Sequence, residues 1–158
     1  METEIRTFIE NDYLTLISWI DNEELNFQWG GPCFTFPLDL DQLRNHYKNS
    51  KVHPFILTVS SQPIGYVELV SESDFRFRIC RVYIHDGFRG KGLAKKMLMQ
   101  VIRLARENYR AKVLSLAVFK DNSVAKHCYQ SLGFIEKQMI QRTFKEECWD
   151  LLMMEKNL

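Results

Sequence analysis

A short glycine-rich segment, set between a buried strand and a long amphipathic helix, constrains this chain more than any other feature. The segment reads His85-Asp86-Gly87-Phe88-Arg89-Gly90-Lys91-Gly92-Leu93-Ala94. The first turn of a helix leaves backbone N–H groups unpaired, and the helix dipole favours negative charge there. Because glycine lets the backbone approach a bulky group closely, the segment predicts a binding site for an anion such as a phosphate.

The elements on either side of this segment follow from the spacing of apolar residues. Upstream, residues 75–84 alternate as a strand does, but the alternation changes phase between Ile79 and Val82. The change predicts either a β-bulge or a strand that passes from an edge position into a buried one. Downstream, apolar residues at helical spacing predict a long helix with one apolar face: Leu93, Ala94, Met97, Leu98, Val101, Ile102 and Ala105.

The rest of the chain predicts a mixed sheet with helices on its faces, in an α/β or α+β single domain. A strand within residues 5–8 precedes a helix that Asn11 or Asp12 would cap and that runs through Trp19. The glycines and prolines of residues 21–37 favour a loop with at most a short helical turn. Further elements are predicted at residues 38–47, 54–59, 64–70, 113–119, 122–132, 134–144 and 148–154.

Two common phosphate-binding motifs do not fit the glycine segment. A Walker A loop requires G-x-x-x-x-G-K-[ST], but Lys91 is followed by Gly92. A dinucleotide fingerprint requires G-x-G-x-x-G, and Lys95 stands at the third glycine position. A ligand with several phosphates still suits the surroundings, because residues 89–112 hold eight Lys or Arg and one acid.

Length, charge and cysteine content narrow the class of protein further. The 158 residues suit one domain, and a net charge of +1 is far below the basicity of a bulk nucleic-acid binder. The four cysteines form no C-x-x-C pair, so no metal site is expected. Neither a signal peptide nor a membrane-spanning run is visible, and we therefore expect a cytoplasmic protein without a membrane partner.

Two motifs at a matching separation resemble those of the GNAT superfamily of N-acetyltransferases. Arg89-Gly90-Lys91-Gly92-Leu93-Ala94 fits the family's R/Q-x-x-G-x-G/A signature, and Asn122, Ala125, Tyr129 and Leu132-Gly133-Phe134 match its N-x-x-A-x-x-x-Y helix and L-G-F ending. The resemblance implies the acyl-CoA N-acyltransferase fold: a mostly antiparallel sheet of about six or seven strands, splayed at its centre and flanked by about four helices. It implies one domain over residues 1–158, with acceptor-side helices at 1–50, an acetyl-CoA-binding core at 75–134 and a closing hairpin at 134–155.

The resemblance also implies acetyl-CoA as the cofactor. In the family, the pyrophosphate lies on the backbone amides of the glycine turn, and the pantetheine arm runs beside the fourth strand, here residues 82–84. Asn122 matches a residue whose side chain meets the pantetheine. The implied cofactor-binding residues are Val82, Tyr83, Ile84, Arg89, Gly90, Lys91, Gly92, Leu93, Ala94, Asn122 and Ala125.

Acetyl transfer to an amine needs an acid for the leaving thiolate and a deprotonated amine. Tyr129 matches the family's tyrosine near the CoA sulfur and lies two helical turns after Asn122, so the resemblance implies that Tyr129 is the general acid. The base stays open, because residues 75–84 contain no acid. Glu68 is one candidate, either facing the cleft or pointing outward from a half-exposed strand, and His85 or a water are others.

The acceptor end is expected to come from the N-terminal helices and their loop. Trp29 begins an aromatic segment, and Glu24 belongs to residues 7–43, which hold seven acids and no Lys or Arg. An acidic approach would attract a small cationic molecule or a peptide N-terminus, whereas solvated helix faces explain the same charges more simply.

The expected function is therefore acetyl transfer from acetyl-CoA to a primary amine of such a molecule, without a nucleic-acid partner. The alternative is a catalytically weak or inactive sensor module that binds acyl-CoA. A homodimer through the C-terminal hairpin is a further expectation, because Trp149, Leu151 and Met153 share a face, although that face suits a core equally.

Overall fold

The computed structural model describes residues 1–158, and its seven strands form one sheet. The strands are β1 (Thr3–Thr7), β2 (Val52–Val59), β3 (Gln62–Ser71), β4 (Arg76–Ile84), β5 (Val113–Phe119), β6 (Ile135–Phe144) and β7 (Glu147–Asn157). The helices are α1 (Tyr13–Trp19), α2 (Glu23–Gly30), α3 (Leu40–His46), α4 (Leu93–Asn108) and α5 (Ser123–Ser131). The strand order is β1-β2-β3-β4-β5-β7-β6, and only β4 and β5 run parallel. The predicted α+β fold with a mostly antiparallel sheet is confirmed.

Helices cover both faces of the sheet, and each face has its own hydrophobic core. The larger core lies under α4 and α5 and includes Met97, Leu114 and Phe134. The smaller core lies under α1 to α3 and includes Leu16 and Leu43. No helix has both the length and the apolar composition that crossing a bilayer requires.

The sheet is splayed where β4 meets β5. Their ladder joins Arg76, Phe77 and Arg78 to Val113, Leu114 and Ser115 and then stops. Beyond it, β4 has no paired neighbour on that side, while β5 continues to pair with β7 as far as Phe119. The predicted central splay is therefore present, and it exposes one backbone edge of the carboxyl half of β4.

A β-bulge explains the phase change within β4. Tyr66 on β3 pairs with Tyr83, whereas Glu68 pairs with Cys80, so two residues of β4 lie opposite one residue of β3. Arg81 within this bulge has a φ of 54°, in the left-handed region. The bulge returns Val82 and Ile84 to the face that Phe77 and Ile79 occupy. Of the two explanations that the sequence left open, the bulge is confirmed.

The prediction of a loop over residues 21–37 is wrong, because α2 occupies Glu23–Gly30. The Asn22 side chain accepts a hydrogen bond from the Leu25 N–H and caps the helix, and Phe27 and Trp29 anchor it by burial. Asp12 is the N-cap residue of α1, as predicted, but its side chain forms no capping hydrogen bond with that helix. The Asp12 carboxylate accepts from the Ile9 N–H and from Arg6 instead, so it stabilises the chain before the helix.

The apolar face of the C-terminal hairpin belongs to the core of the protomer. Trp149 packs against Phe27 and Phe119, with ring centroids 5.9 and 5.5 Å away, and Leu151 is buried. The face is thus largely covered within the chain, as the core interpretation expects, and a homodimer through it stays a prediction.

Candidate active site

A cavity of about 1000 Å³ lies in the splay between β4 and β5 and extends to the start of α4. Helix α5 forms another wall along its length, from Val124 to Ser131, and Trp149 also lines the cavity. Of the eleven residues predicted to bind the cofactor, all except Lys91 line this cavity. The fold therefore brings together residues that are up to 43 positions apart in the sequence, from Val82 to Ala125.

The glycine turn forms an open cradle of backbone donors at one end of this cavity. Gly90 and Gly92 have φ angles of 75° and 73°, and a Cβ at either position would meet no atom within 4 Å. The first amide of the turn to pair with a helix carbonyl is that of Lys96, which donates to Gly92. The amides before it point their N–H groups away from the helix, as an anion site requires. This geometry fits the phosphates of a coenzyme.

Basic side chains support the turn in two different ways. Arg89 is held in place, since its Nε donates to the Ile84 carbonyl at 2.9 Å and its Nη1 lies 3.1 Å from Asp86. Lys91 instead lies over the Phe88 ring, 5.5 Å from the centroid, and does not line the cavity. His85 accepts a hydrogen bond from the Gly87 N–H at 3.3 Å, so it stabilises the turn and does not line the cavity.

Asn122 and Tyr129 project from α5 towards the splay. The Asn122 carbonyl oxygen caps α5 by accepting from the Ala125 N–H at 3.1 Å, which leaves its amide NH₂ free for a ligand. Tyr129 is 8% exposed, and burial, together with the charge of Cys128, raises its pKa to about 12. The hydroxyl is therefore protonated at neutral pH, and it lies where the cavity continues through the sheet.

A second cavity of about 450 Å³ adjoins the first on the α2 side of the splay. The two cavities share Trp29, Asn122 and Tyr129 among their lining residues. We call them the coenzyme cavity and the acceptor cavity. Tyr129 lies at their junction, where a group held in either cavity could reach its hydroxyl.

Of the two residues predicted to bind the acceptor, Trp29 lines the cavities and Glu24 does not. Trp29 lines both cavities, and its indole N–H donates to the Arg81 carbonyl at 3.0 Å, which ties α2 to the bulge of β4. Glu24 is exposed and interacts only with Gln28, at 3.3 Å. None of the seven acids in residues 7–43 lines either cavity. The acids are therefore absent from the cavity walls, and an acidic approach outside them stays a prediction.

Glu68 occupies a third position, which the sequence did not suggest. The side chain has no exposure and lines neither cavity, so the outward-facing alternative is wrong. Its carboxylate pairs with Arg81 Nε at 2.8 Å, accepts from the Tyr66 hydroxyl at 2.5 Å, and lies 3.1 Å from His46 Nε2. Burial raises the pKa of Glu68, but the hydrogen bond from His46 and the charge of Arg81 outweigh it and hold the pKa below its ordinary value. The Tyr47 hydroxyl extends the network, 2.6 Å from that of Tyr66.

Arg78 and Arg142 line the acceptor cavity, and sequence reasoning missed both. For Arg78 a signal existed, because it alternates with Phe77 and Ile79 and so had to face away from the larger core. No local pattern marks Arg142. Its long side chain reaches from β6 to the cavity, where the guanidinium lies beside Gly31.

Comparisons with known proteins agree with this geometry. Residues 16–134 match the model of the "Acetyltransferase (GNAT) family". A spermine/spermidine N(1)-acetyltransferase from Bacillus subtilis is 41% identical over 54 residues, which are 34% of this chain and 36% of that protein. The chain thus matches only about a third of the length of this curated relative.

Solved structures resemble the whole chain at lower identity. The spermidine N-acetyltransferase from Vibrio cholerae, in complex with CoA and spermine, has a TM-score of 0.84 at 19% identity, covering 98% of this chain and 95% of its own. A ribosomal-protein-alanine N-acetyltransferase from Brucella melitensis has a TM-score of 0.76 at 20% identity, covering 98% and 99%. With the family match over three quarters of its residues, a matching fold and an anion cradle at the signature turn, this chain belongs to the GNAT acetyltransferase family.

Proposed function

We propose that the chain transfers an acetyl group from acetyl-CoA to the primary amine of a small molecule or a peptide N-terminus, with Tyr129 as the general acid. One observation supports the proposal: Tyr129, whose raised pKa keeps its hydroxyl protonated, lines both cavities, of which one ends at the anion cradle. The names of the relatives, which act on spermine, spermidine or a protein alanine, support an amine as the acceptor.

The residues of the coenzyme cavity fit acetyl-CoA. The amides around Gly90 and Gly92 would hold its phosphates, and the unpaired edge of β4 beside Val82 offers backbone groups to the amides of the pantetheine arm. The Asn122 NH₂ would add a donor to the same arm. The coenzyme supplies an acetyl group activated as a thioester.

Tyr129 holds a proton at its hydroxyl oxygen and can donate it to a thiolate that departs at the junction. Its raised pKa means that the hydroxyl carries the proton throughout the neutral pH range. The hydroxyl is not engaged as a hydrogen-bond partner by neighbouring side chains, so it is free to donate. The apolar neighbours Val82 and Phe119 limit water at this point.

The amine must lose a proton before it attacks, since an ammonium with a pKa of about 10.4 is not a nucleophile. The role of Glu68 as the base stays a prediction, and the structure offers few paths by which a proton could reach its carboxylate. Because Arg81, Tyr66 and His46 enclose its carboxylate, a proton could reach it only through the hydroxyl of Tyr66 or the ring of His46. A water in the acceptor cavity is the alternative base.

The test replaces Tyr129 by Phe and measures release of free CoA thiol from acetyl-CoA across a panel of amines. We expect turnover to fall about 10²- to 10⁴-fold while CoA affinity, measured by calorimetry, stays the same. Tyr109→Phe is the matched control, because this tyrosine lies at the far end of α4 and lines neither cavity. Unchanged turnover in Tyr129→Phe would remove the acid role. CoA binding without turnover on any amine would favour the acyl-CoA sensor.

A further inference from the structure

Charged side chains in the acceptor cavity bear on which amine enters it. Four such residues line the cavity: Glu72, Arg78, Arg81 and Arg142. Three of the four are cationic, which is the opposite of what a polycation would need. The identity of the acceptor therefore depends on which of these charges are already neutralised within the protein.

Two of the four charges are neutralised. Arg81 is paired with the buried carboxylate of Glu68 at 2.8 Å. Glu72 lies 3.7 Å from the Arg76 guanidinium and accepts a hydrogen bond from the Ser115 hydroxyl at 3.0 Å. These pairs leave the cavity wall neutral at both positions.

Arg78 and Arg142 are the two charges left over. Neither takes part in any of the ion pairs or side-chain hydrogen bonds that the protein forms, and both are half-buried at the cavity wall. The head of Arg142 has a defined seat, since its Nη1 would lie 2.9 Å from a Cβ at Gly31, where φ is 55°. The guanidinium of Arg142 therefore lies beside the loop after α2, at a position whose backbone conformation favours glycine.

We infer that the acceptor cavity selects an amine that carries a carboxylate or a comparable anion, and that Arg78 and Arg142 bind that anion. The inference rests on the proposed acetyl transfer and names the class of its acceptor. A guanidinium presents a planar fork of donors that matches a carboxylate, and two of them without counter-ions in the wall of one cavity favour an anion there.

The shape of the cavity gives the acceptor a direction. Tyr129 marks the end where the amine must arrive, and Gly31 and Arg142 line the cavity away from the coenzyme, since neither lines the coenzyme cavity. A volume of about 450 Å³ suits an amino acid or the first residues of a peptide. Spermine, which the Vibrio cholerae enzyme binds, would bring further positive charge to two unpaired guanidiniums.

The experiment compares acceptors with and without an anion beside the reacting amine, each at the same concentration of unprotonated amine. Thiol release from acetyl-CoA is measured with the common α-amino acids, with their α-carboxamides, with dipeptides that have an acidic second residue, and with spermine. We expect the carboxylates to be preferred over the amides in kcat/KM. In Arg78→Gln and Arg142→Gln this preference should fall about 10- to 100-fold, chiefly through KM, because a charge-assisted hydrogen bond is lost. Arg103→Gln, on the exposed face of α4, should change nothing.

Binding of the same acceptors in the presence of CoA, measured by calorimetry, separates the two proposals. Turnover on spermine and amides but not on carboxylates would overturn the anion site while acetyl transfer stands. If no acceptor turns over, binding of carboxylates that depends on Arg142 supports the anion site, and its absence overturns it. Arginine-dependent preference for acidic dipeptides over free amino acids would assign the anion to a peptide.

Discussion

Replacing Glu68 by Gln tests how much a buried charge network contributes to the stability of this fold. The carboxylate is fully buried, and the Arg81 side chain opposite it is only 12% exposed. Removing one partner of a buried ion pair costs about 3–5 kcal/mol, because the other charge is left without a counter-ion. Since Gln keeps one oxygen that can still accept from Tyr66, we expect the lower end, about 3 kcal/mol.

Urea unfolding at pH 7, followed by circular dichroism, measures this loss. With an m-value of about 2 kcal/mol per molar urea, the midpoint should fall by about 1.5 M. Glu23→Gln is the matched control, because Glu23 forms an exposed pair with Lys145 at 2.8 Å, for which we expect less than about 0.5 kcal/mol. A cost for Glu68→Gln no greater than that of the control would refute the argument from burial.

The pH dependence of the same difference provides a second check. Because the folded-state pKa of Glu68 lies below its ordinary value of 4.5, its stabilisation is complete above that pH and is lost as the pH falls through the folded value. The gap between the wild type and Glu68→Gln should therefore narrow below pH 4.5. Turnover separates the two roles of Glu68, since only a base would impose an acidic limb on kcat/KM that disappears in the variant.

Further predictions concern the glycine turn, the cysteines and the unexpected helix. Gly92→Val should weaken CoA binding at least about tenfold by calorimetry, because its φ of 73° disfavours a β-branched residue and its side chain would enter the phosphate cradle; affinity equal to the wild type would contradict the cradle. Iodoacetamide at pH 8 should label exposed Cys148 before Cys80, whose pKa burial raises to about 11, as peptide mass spectrometry can show. Asn22→Ala should cost about 1 kcal/mol in thermal unfolding through loss of the α2 cap, and no loss would contradict capping.

The spacing of apolar residues predicted most of the fold, because the period of a helix or a strand is set within a few neighbouring residues. The apolar stripe of α4 appears as expected, and the phase change in β4 is one of its two predicted explanations, a β-bulge. Helix α2 was not predicted because its sequence signal is weak. Its two buried aromatics, Phe27 and Trp29, lie between polar residues, and the Gly-Gly-Pro sequence that follows Trp29 suggests a loop. Its cap at Asn22 was the signal that could have identified it.

The acceptor side could not be predicted from charge along the chain, because most charges are already used within the fold. Asp12 forms an ion pair with Arg6, and Asp39 caps α3. Glu23 of α2 pairs with Lys145 in the turn between β6 and β7. The cations that face the acceptor cavity come instead from β4 and β6, which are separated in the sheet by β5 and β7. A run of charged residues in the sequence indicates only the composition of a surface. Specificity for the acceptor depends on the few charges that the tertiary structure leaves unpaired beside the reacting group. For this chain those charges are positive, so the acidic stretch that first suggested a small cationic molecule is weaker evidence about the acceptor than two arginines 64 residues apart, Arg78 and Arg142.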